Sequence, residues 1–173
     1  MIARGRTLAI TLAGVSATLS PNLANLRPWL IWNASASVPV GLYRVEKTSV
    51  LRAGDLVIVT PPEPLANFLA DGGYLPRGVP LMKHVAALPG QSVCRSGLTV
   101  TIDAVTVGEV RERDSRGRAL PVWQGCRVIA AGEVLLMNAR ADSLDGRYFG
   151  PLPAASIIGR AAPLWTPRTA EEE

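Results

Sequence analysis

Two serines close together in a stiff turn are the side chains best placed to act as nucleophiles. Ser35 and Ser37 lie within residues 33–43, NASASVPVGLY, just ahead of Pro39 and Gly41. Proline fixes its own φ and extends the residue before it, and glycine permits a tight turn. A serine held on such a turn can present its hydroxyl to a substrate. Taken alone, these residues are also typical of a serine-rich surface turn.

Two neighbouring side chains, Lys83 and His84, could take the proton from a serine. Both lie in residues 79–90, VPLMKHVAALPG, a pattern that predicts an apolar strand ending in a turn. Burial lowers the pKa of a lysine and can leave a neutral amine as general base, whereas a solvent-facing lysine on an edge strand is a common structural feature. His84 is the only histidine, so a Ser-His-Asp triad must use it. Adjacent strand residues point to opposite faces, so only one of the two can face Ser37, and the residues alone leave the choice open.

Three motifs in a fixed order make the chain resemble the serine–lysine signal peptidases. They are residues 33–43, the stretch LMKHVAALPGQSV that begins at Leu81, and the stretch SLDGRYFGPLP that begins at Ser143. The S-x-P-x-G-x-Y form of the first motif resembles the conjugative-transfer, or TraF-type, subfamily. General signal peptidases usually have a methionine after the serine. The resemblance extends from the N-terminal segment to about Trp165.

The resemblance implies a division of roles among four side chains. Ser37 would be the nucleophile, and Lys83 would be the general base that takes its proton. The backbone N–H of Ser37 and the hydroxyl of Ser35 would form the oxyanion hole. Ser143 matches a serine that hydrogen-bonds to the lysine and orients it.

The third motif also matches a structural ion pair of the family, here Asp145 and Arg147. Two departures from the general pattern lie nearby. The family's Gly-Asp-Asn box corresponds to residues 136–139, LMNA, and its Asp-Ser-Arg appears with Gly146 in the middle. These departures concern the wall of the site and the substrate pocket more than the serine–lysine pair.

The N-terminal segment predicts export. Arg4 and Arg6 precede residues 8–26, about 19 residues without a charged side chain, which is roughly the length that spans a bilayer as a helix. Residues 1–26 are therefore interpreted as a cleavable signal peptide or a retained anchor, and a buried core helix is the weaker alternative. Basic residues before the segment keep that end in the cytoplasm, which places residues 27–166 in the periplasm as the peptidase domain. Residues 167–173 form an acidic tail.

The two cysteines, Cys94 and Cys126, fit an exported protein. An even number of cysteines in an oxidising compartment predicts a structural disulfide, and two unpaired buried thiols are the alternative. No C-x-x-C pair occurs, and one histidine does not complete a zinc site with these cysteines. Neither a metal nor a cofactor is expected.

Composition favours a mostly β fold. The chain of 173 residues has 14 Pro and 16 Gly, so its apolar runs are short and frequently interrupted. The pattern predicts strands over residues 56–60, 79–90, 134–137 and 157–165, a hairpin over 98–107 that turns at Asp103 and Ala104, and a weakly specified helical insert over 65–75. The family resemblance implies coiled antiparallel sheets in a partly open barrel, preceded by an N-terminal membrane helix.

Charge gives no indication of a nucleic-acid partner. The net charge is +4, but basic residues are scattered, and the one cluster, residues 111–118, includes Glu112 and Asp114. Aromatic residues are not interleaved with the basic ones, as nucleic-acid binding would require.

The expected protein is a serine endopeptidase of the cytoplasmic membrane, with its catalytic domain facing the periplasm. It would process exported precursors, and the TraF-type resemblance implies a pilin precursor that is cleaved or cyclised. A general signal peptidase of broad specificity is the first alternative. A non-catalytic, exported β domain of a secretion assembly is the second.

Overall fold

The chain is described here by a computed structural model that covers residues 29–167. The predicted membrane helix within residues 1–26 lies outside these residues, as does the acidic tail apart from residue 167. Among the described residues, no helix combines the length and the apolar character needed to cross a bilayer. The division into anchor, domain and tail therefore stays a prediction.

Short β-strands dominate the described part of the chain, as the composition predicts. The strands are β1 (Leu30–Asn33), β2 (Gly41–Glu46), β3 (Leu56–Val59), β4 (Leu81–Ala87), β5 (Ser92–Ser96), β6 (Thr99–Ile102), β7 (Val105–Glu109), β8 (Gly125–Val128), β9 (Glu133–Met137), β10 (Leu152–Pro153) and β11 (Ile157–Trp165). The helices are α1 (Glu63–Asp71) and α2 (Gly146–Phe149).

The strands form two antiparallel sheets. The larger sheet has the order β1-β2-β11-β3-β4-β9-β10, and the smaller has the order β7-β6-β5-β8. The prediction of a mostly β fold is confirmed, and the larger sheet is curled into a half-barrel. Strand β4, which carries Lys83, is flanked by β3 and β9. It is an interior strand, so the interpretation of Lys83 as a solvent-facing residue on an edge strand is wrong.

Three apolar clusters stabilise this arrangement. One lies between the two sheets and includes Val93, Val100 and Leu135. A second joins α1 to the larger sheet through Leu65 and Leu69. The third packs the loop between β1 and β2, residues 34–40, against the larger sheet and consists of Val38, Tyr43, Ile58, Met82 and Ala161. Full burial of a large apolar side chain stabilises the fold by about 1.5–3 kcal/mol. This cluster therefore holds the loop between β1 and β2 firmly against the larger sheet.

Helix α1 differs in its bounds from the helical insert predicted over residues 65–75. It begins at Glu63, directly after Pro62, and ends at Asp71, before Gly72. Pro64 lies in its first turn, where the missing N–H would have no partner inside the helix anyway. The proline run therefore ends β3 and also starts the helix.

Strand β1 was not predicted. The sequence around Trp29 and Trp32 is also typical of a segment that emerges from a membrane interface, and it has no pattern that indicates a strand. The strand pairs with β2, with Leu30 opposite Arg44 and Asn33 opposite Gly41. Trp32 nevertheless remains 56% exposed.

Candidate active site

The serine-containing loop, residues 34–40, connects β1 to β2 at the edge of the larger sheet. The hydroxyl of Tyr43 donates to the carbonyl oxygen of Pro39 at 2.6 Å. Burial raises the pKa of Tyr43, so its hydroxyl keeps the proton that it donates. Gly41 begins β2 where a Cβ atom would collide with the carbonyl oxygen of Trp165. The proline, glycine and tyrosine of the S-x-P-x-G-x-Y motif thus all fix the loop that presents Ser37.

The two serine hydroxyls of this loop are in contact. Oγ of Ser35 and Oγ of Ser37 lie 3.0 Å apart, and either can be the donor. A third polar group, the side chain of Asn33, contacts Ser35 from the end of β1. Asn33 is only 7% exposed, and the sequence analysis did not identify it.

Lys83 is buried in the middle of β4, with 5% of its surface exposed. Its Nζ donates to Oγ of Ser143 at 2.7 Å. Burial lowers the pKa of Lys83 from 10.5 to about 8; the Asp145 carboxylate opposes this shift, and the Arg147 guanidinium adds to it. A sizeable fraction of neutral amine is therefore present near neutral pH, as a general base requires.

One cleft of about 260 Å³ brings these groups together. Ser35, Ser37 and Lys83 line it, and its other walls are mainly apolar: Ile31, Trp32, Ile58, Leu75, Val79 and Met82. Among the described residues no hydrogen bond joins Ser37 to Lys83: Oγ of Ser37 contacts Oγ of Ser35, and Nζ of Lys83 donates to Ser143. Catalytic hydrogen bonds are often formed only when substrate is bound.

His84 does not belong to the lining of this cleft. Its Nδ1 lies 3.2 Å from Oδ1 of Asn138. The backbone alternation along β4 turns His84 away from the side that carries Lys83. Of the two bases that the sequence left open, Lys83 is the one that shares a cleft with Ser37.

A buried ion pair supports the loop that carries Ser143. Nη2 of Arg147 lies 2.8 Å from Oδ2 of Asp145, and both side chains are almost completely enclosed. The same Nη2 donates to the carbonyl oxygens of Asn138, Arg140 and Ser143, at 3.2, 2.6 and 3.4 Å. Three carbonyl groups thus bind one guanidinium. These contacts fix the position of the Ser143 hydroxyl relative to Nζ of Lys83.

Asn138, at the end of β9, holds the backbone on both sides of Lys83. Its Nδ2 donates to the carbonyl oxygen of Met82 at 3.2 Å, and its Oδ1 accepts from the N–H of His84 at 3.2 Å. The side chain therefore continues the β4–β9 ladder beyond its last paired residues. The sequence offered a signal, since this asparagine is the one residue of the family's Gly-Asp-Asn box that the chain retains.

Gly146 explains the departure from Asp-Ser-Arg in the third motif. A Cβ atom at this position would lie 2.7 Å from the carbonyl oxygen of Leu136 and 2.8 Å from Cδ1 of Leu135. The start of α2 packs so closely on β9 that only glycine fits without a shift.

The remaining predicted residues lie in the smaller sheet. Cys94 and Cys126 are directly opposite each other on β5 and β8 and form a disulfide. Neither cysteine lines the cleft. Within residues 29–167, no three His, Cys, Asp or Glu side chains form a group suited to hold a metal ion.

The fold and the site define a class: β-rich proteins in which an interior-strand lysine and a loop serine share one apolar cleft. Residues 4–165 match the family described as signal peptidase, peptidase S26. The chain belongs to this family.

Two sequence relatives agree with that assignment, and one solved structure is also similar. The chain is 38% identical over 145 residues to a conjugal transfer protein TraF of Agrobacterium fabrum, covering 78% of this chain and 81% of that protein. It is 31% identical over 144 residues to a plasmid transfer protein TraF of Escherichia coli, with the same two coverages. A signal peptidase I from Enterococcus faecalis V583 aligns with 66% of this chain and 98% of its own, at 18% identity and a TM-score of 0.40.

Proposed function

We propose that this protein is a serine endopeptidase in which Ser37 is the nucleophile and Lys83 is the general base. The observation that carries the proposal is that Ser37 and a buried lysine with a pKa of about 8 line the same cleft. An amine with this pKa can accept a proton near neutral pH and return it later. Membership of the signal peptidase family supports the same chemistry.

Acylation needs two proton transfers, one to Lys83 and one from it, and one exchange of bonds at the carbonyl carbon. Oγ of Ser37 attacks the scissile carbonyl carbon while Nζ of neutral Lys83 accepts the hydroxyl proton. The negative charge that develops on the carbonyl oxygen is stabilised by the N–H of Ser37 and the hydroxyl of Ser35. Lys83 then protonates the leaving amine, the C–N bond breaks, and an ester on Ser37 remains.

Deacylation repeats these steps with a different nucleophile. Lys83 accepts a proton from water as the water oxygen attacks the ester carbon, and it returns the proton to Ser37 as the ester bond breaks. If a terminal amine of the substrate attacks instead of water, the product is a cyclic amide. That product is one water lighter than the hydrolysed chain. Between these proton transfers, the hydroxyl of Ser143 keeps Nζ of Lys83 in place.

The substrate proposed here is an exported precursor, and a pilin precursor of conjugative transfer is favoured. The relatives named as conjugal or plasmid transfer proteins TraF support this choice. The mainly apolar cleft suits an extended apolar peptide segment. We place the protein in the cytoplasmic membrane with the peptidase domain on the periplasmic side. The exposed side chains of Trp29, Trp32 and Trp165 support a position at the membrane surface.

Mass spectrometry of a pilin precursor incubated with membranes that contain the protein tests this function. We expect the wild type and His84→Ala to convert the precursor, and Ser37→Ala and Lys83→Ala to leave it intact. The product mass distinguishes hydrolysis from cyclisation. Conversion by Lys83→Ala but not by His84→Ala would overturn the assignment of the base.

The specificity of processing is tested in the same assay with a panel of unrelated precursors. A peptidase dedicated to conjugative transfer should convert few of them. Conversion of most of the panel would instead identify a general signal peptidase. A complete lack of Ser37 labelling by a serine-directed acylating reagent would indicate the non-catalytic alternative.

A further inference from the structure

Asn33 lies outside the S-x-P-x-G-x-Y motif, but its side chain forms several hydrogen bonds with the serine-containing loop. Its Nδ2 donates to the carbonyl oxygens of Ser35, Val38 and Pro39 at 2.8, 3.1 and 3.0 Å. An amide nitrogen has two hydrogens, so one of them is shared between two acceptors. Three carbonyl groups of one short loop therefore converge on a single side chain.

The other half of the Asn33 side chain contacts Ser35 alone. Its Oδ1 accepts from the backbone N–H of Ser35 at 3.1 Å and lies 3.0 Å from Oγ of Ser35. The amide cannot be turned around, because Oδ1 would then face three carbonyl oxygens and lose both donors. Asn33 thus fixes the backbone and the hydroxyl oxygen of Ser35 together.

The single proton of the Ser35 hydroxyl has two neighbouring acceptors, Oδ1 of Asn33 and Oγ of Ser37, each at 3.0 Å. A hydrogen bond to a charged oxygen is about twice as strong as one to a neutral oxygen. When negative charge develops on the substrate carbonyl oxygen, the proton can turn from the neutral amide oxygen toward it. The hydroxyl oxygen stays in place because the backbone of Ser35 remains bonded to Asn33.

We propose that Asn33 is a positioning residue that holds the Ser35 hydroxyl where it stabilises the oxyanion. This inference rests on the proposed peptidase function and assigns Asn33 an action through Ser35, not on the substrate itself. A purely structural asparagine would stabilise the loop equally in the presence and absence of the Ser35 hydroxyl.

A double-mutant cycle separates these two roles. The full-length protein is assayed with a fluorogenic peptide that carries Ala-x-Ala before the scissile bond, because the resemblance to signal peptidases implies a pocket for small side chains. The values of kcat and KM are measured separately. Loss of an oxyanion donor typically lowers kcat by about 10²–10³, which is the effect expected for Ser35→Ala. Asn33→Ala should lower kcat by about 10–10² and change KM by less than about threefold. In the Ser35→Ala background, the same substitution should change kcat by less than about threefold.

Controls make each result decisive. Asn67→Ala, in α1, should keep wild-type kcat, because Asn67 contacts Arg77 and does not line the cleft. If Asn33→Ala does not fold, the cycle is repeated with Asn33→Asp, which keeps the shape of the side chain and should also be masked by Ser35→Ala. Additive effects, or wild-type kcat in the Asn33 variants, would overturn the inference. Failure of both variants to fold would also overturn the inference, because it would show that Asn33 serves to stabilise the fold.

The proposed function and this inference fail in different ways. If Ser37→Ala cleaves the peptide at the wild-type rate, the peptidase function itself is wrong. If Ser37→Ala is inactive while Asn33→Ala has wild-type kcat, only the role of Asn33 is wrong.

Discussion

The pKa of Lys83 is low because its backbone lies in an interior strand, where the side chain is buried. Its strand is interior to the larger sheet, and burial is the main cause of the shift, ahead of the charges of Asp145 and Arg147. The ion pair beside it contributes charges of opposite sign that partly cancel. The fold can therefore produce a neutral amine without a dedicated cationic neighbour.

The pH dependence of activity follows directly from this pKa. Below pH 8 the amine is mostly protonated, and only its shrinking neutral fraction can accept the proton of Ser37. We therefore expect kcat/KM for the Ala-x-Ala peptide to rise about tenfold per pH unit in that range, with half of its maximum near pH 8, and to level off above it. Lys47→Ala, which removes an exposed lysine, should leave the profile unchanged. A half-point between about pH 6 and 7, the ordinary range of histidine, would contradict the assignment of Lys83.

At the scale of elements, the contact between α2 and β9 determines the position of Ser143, the hydrogen-bond partner of Lys83. Arg147 in α2 binds the loop that carries Ser143, and Gly146 sets how closely α2 approaches β9. A change in this spacing would move the Ser143 hydroxyl relative to Lys83.

Gly146→Ala should therefore lower the free energy of unfolding by about 1–3 kcal/mol, the usual cost of an overpacked site. The added Cβ would meet backbone and side-chain atoms of β9 at 2.7 and 2.8 Å, and backbone atoms cannot easily move aside. Urea denaturation measures the effect. Gly108→Ala is the matched control, because a Cβ there would make contacts of 3.5 Å and longer. Equal stabilities of the two variants would show that the α2–β9 contact is less tight than described.

Elements with a regular pattern were predicted well from the sequence. Strand β11 has the bounds expected for residues 157–165, and the hairpin of β6 and β7 turns at Asp103 and Ala104, both with positive φ. Strand β8 has no buried residue, so it lacks the alternation that reveals a strand, and its pairing with β5 determines it instead. Helix α2 has four residues and no period to recognise.

The six residues expected at the site from the motifs lie close together: Ser35, Ser37, Lys83, Ser143, Asp145 and Arg147. The two asparagines were missed for a physical reason. The retained asparagine of the Gly-Asp-Asn box marks position 138, but Asn138 bonds to Met82, 56 residues away along the chain, and no local pattern encodes that contact. Asn33 acts within seven residues, but an asparagine before a turn is too common to indicate a particular set of acceptors.

At the scale of the whole molecule, the smaller sheet reaches the site through a few contacts. Arg95 in β5 is buried and donates to the carbonyl oxygen of Arg147 at 3.1 Å. Nε1 of Trp123 donates to the same oxygen at 3.1 Å. The disulfide lies in this sheet, so its contribution should be mainly to stability and not to turnover.

Replacing both cysteines tests this separation. The disulfide closes a loop with a sequence separation of 32, and the chain-entropy model assigns such a crosslink about 3.7 kcal/mol. We expect Cys94→Ser/Cys126→Ser to lose about that much stability in urea while keeping kcat within about twofold at temperatures where it is folded. The wild type with a reducing agent is the control and should behave alike. A kcat that falls tenfold in the folded variant would mean that the smaller sheet shapes the site.

The β1–β2 hairpin also determines how the protein would respond to tension on its N-terminal side. A pull at residue 29 would open the ladder at Leu30, opposite Arg44, and only afterwards reach Asn33, opposite Gly41. The stacked rings of Trp32 and Trp165, 5.8 Å apart, resist the opening midway. The serine-containing loop lies at the closed end, so it is the last part of the hairpin to be released. Tension from the N-terminal side would thus fray the hairpin near residue 29 while Ser37, the proposed nucleophile, stays in register.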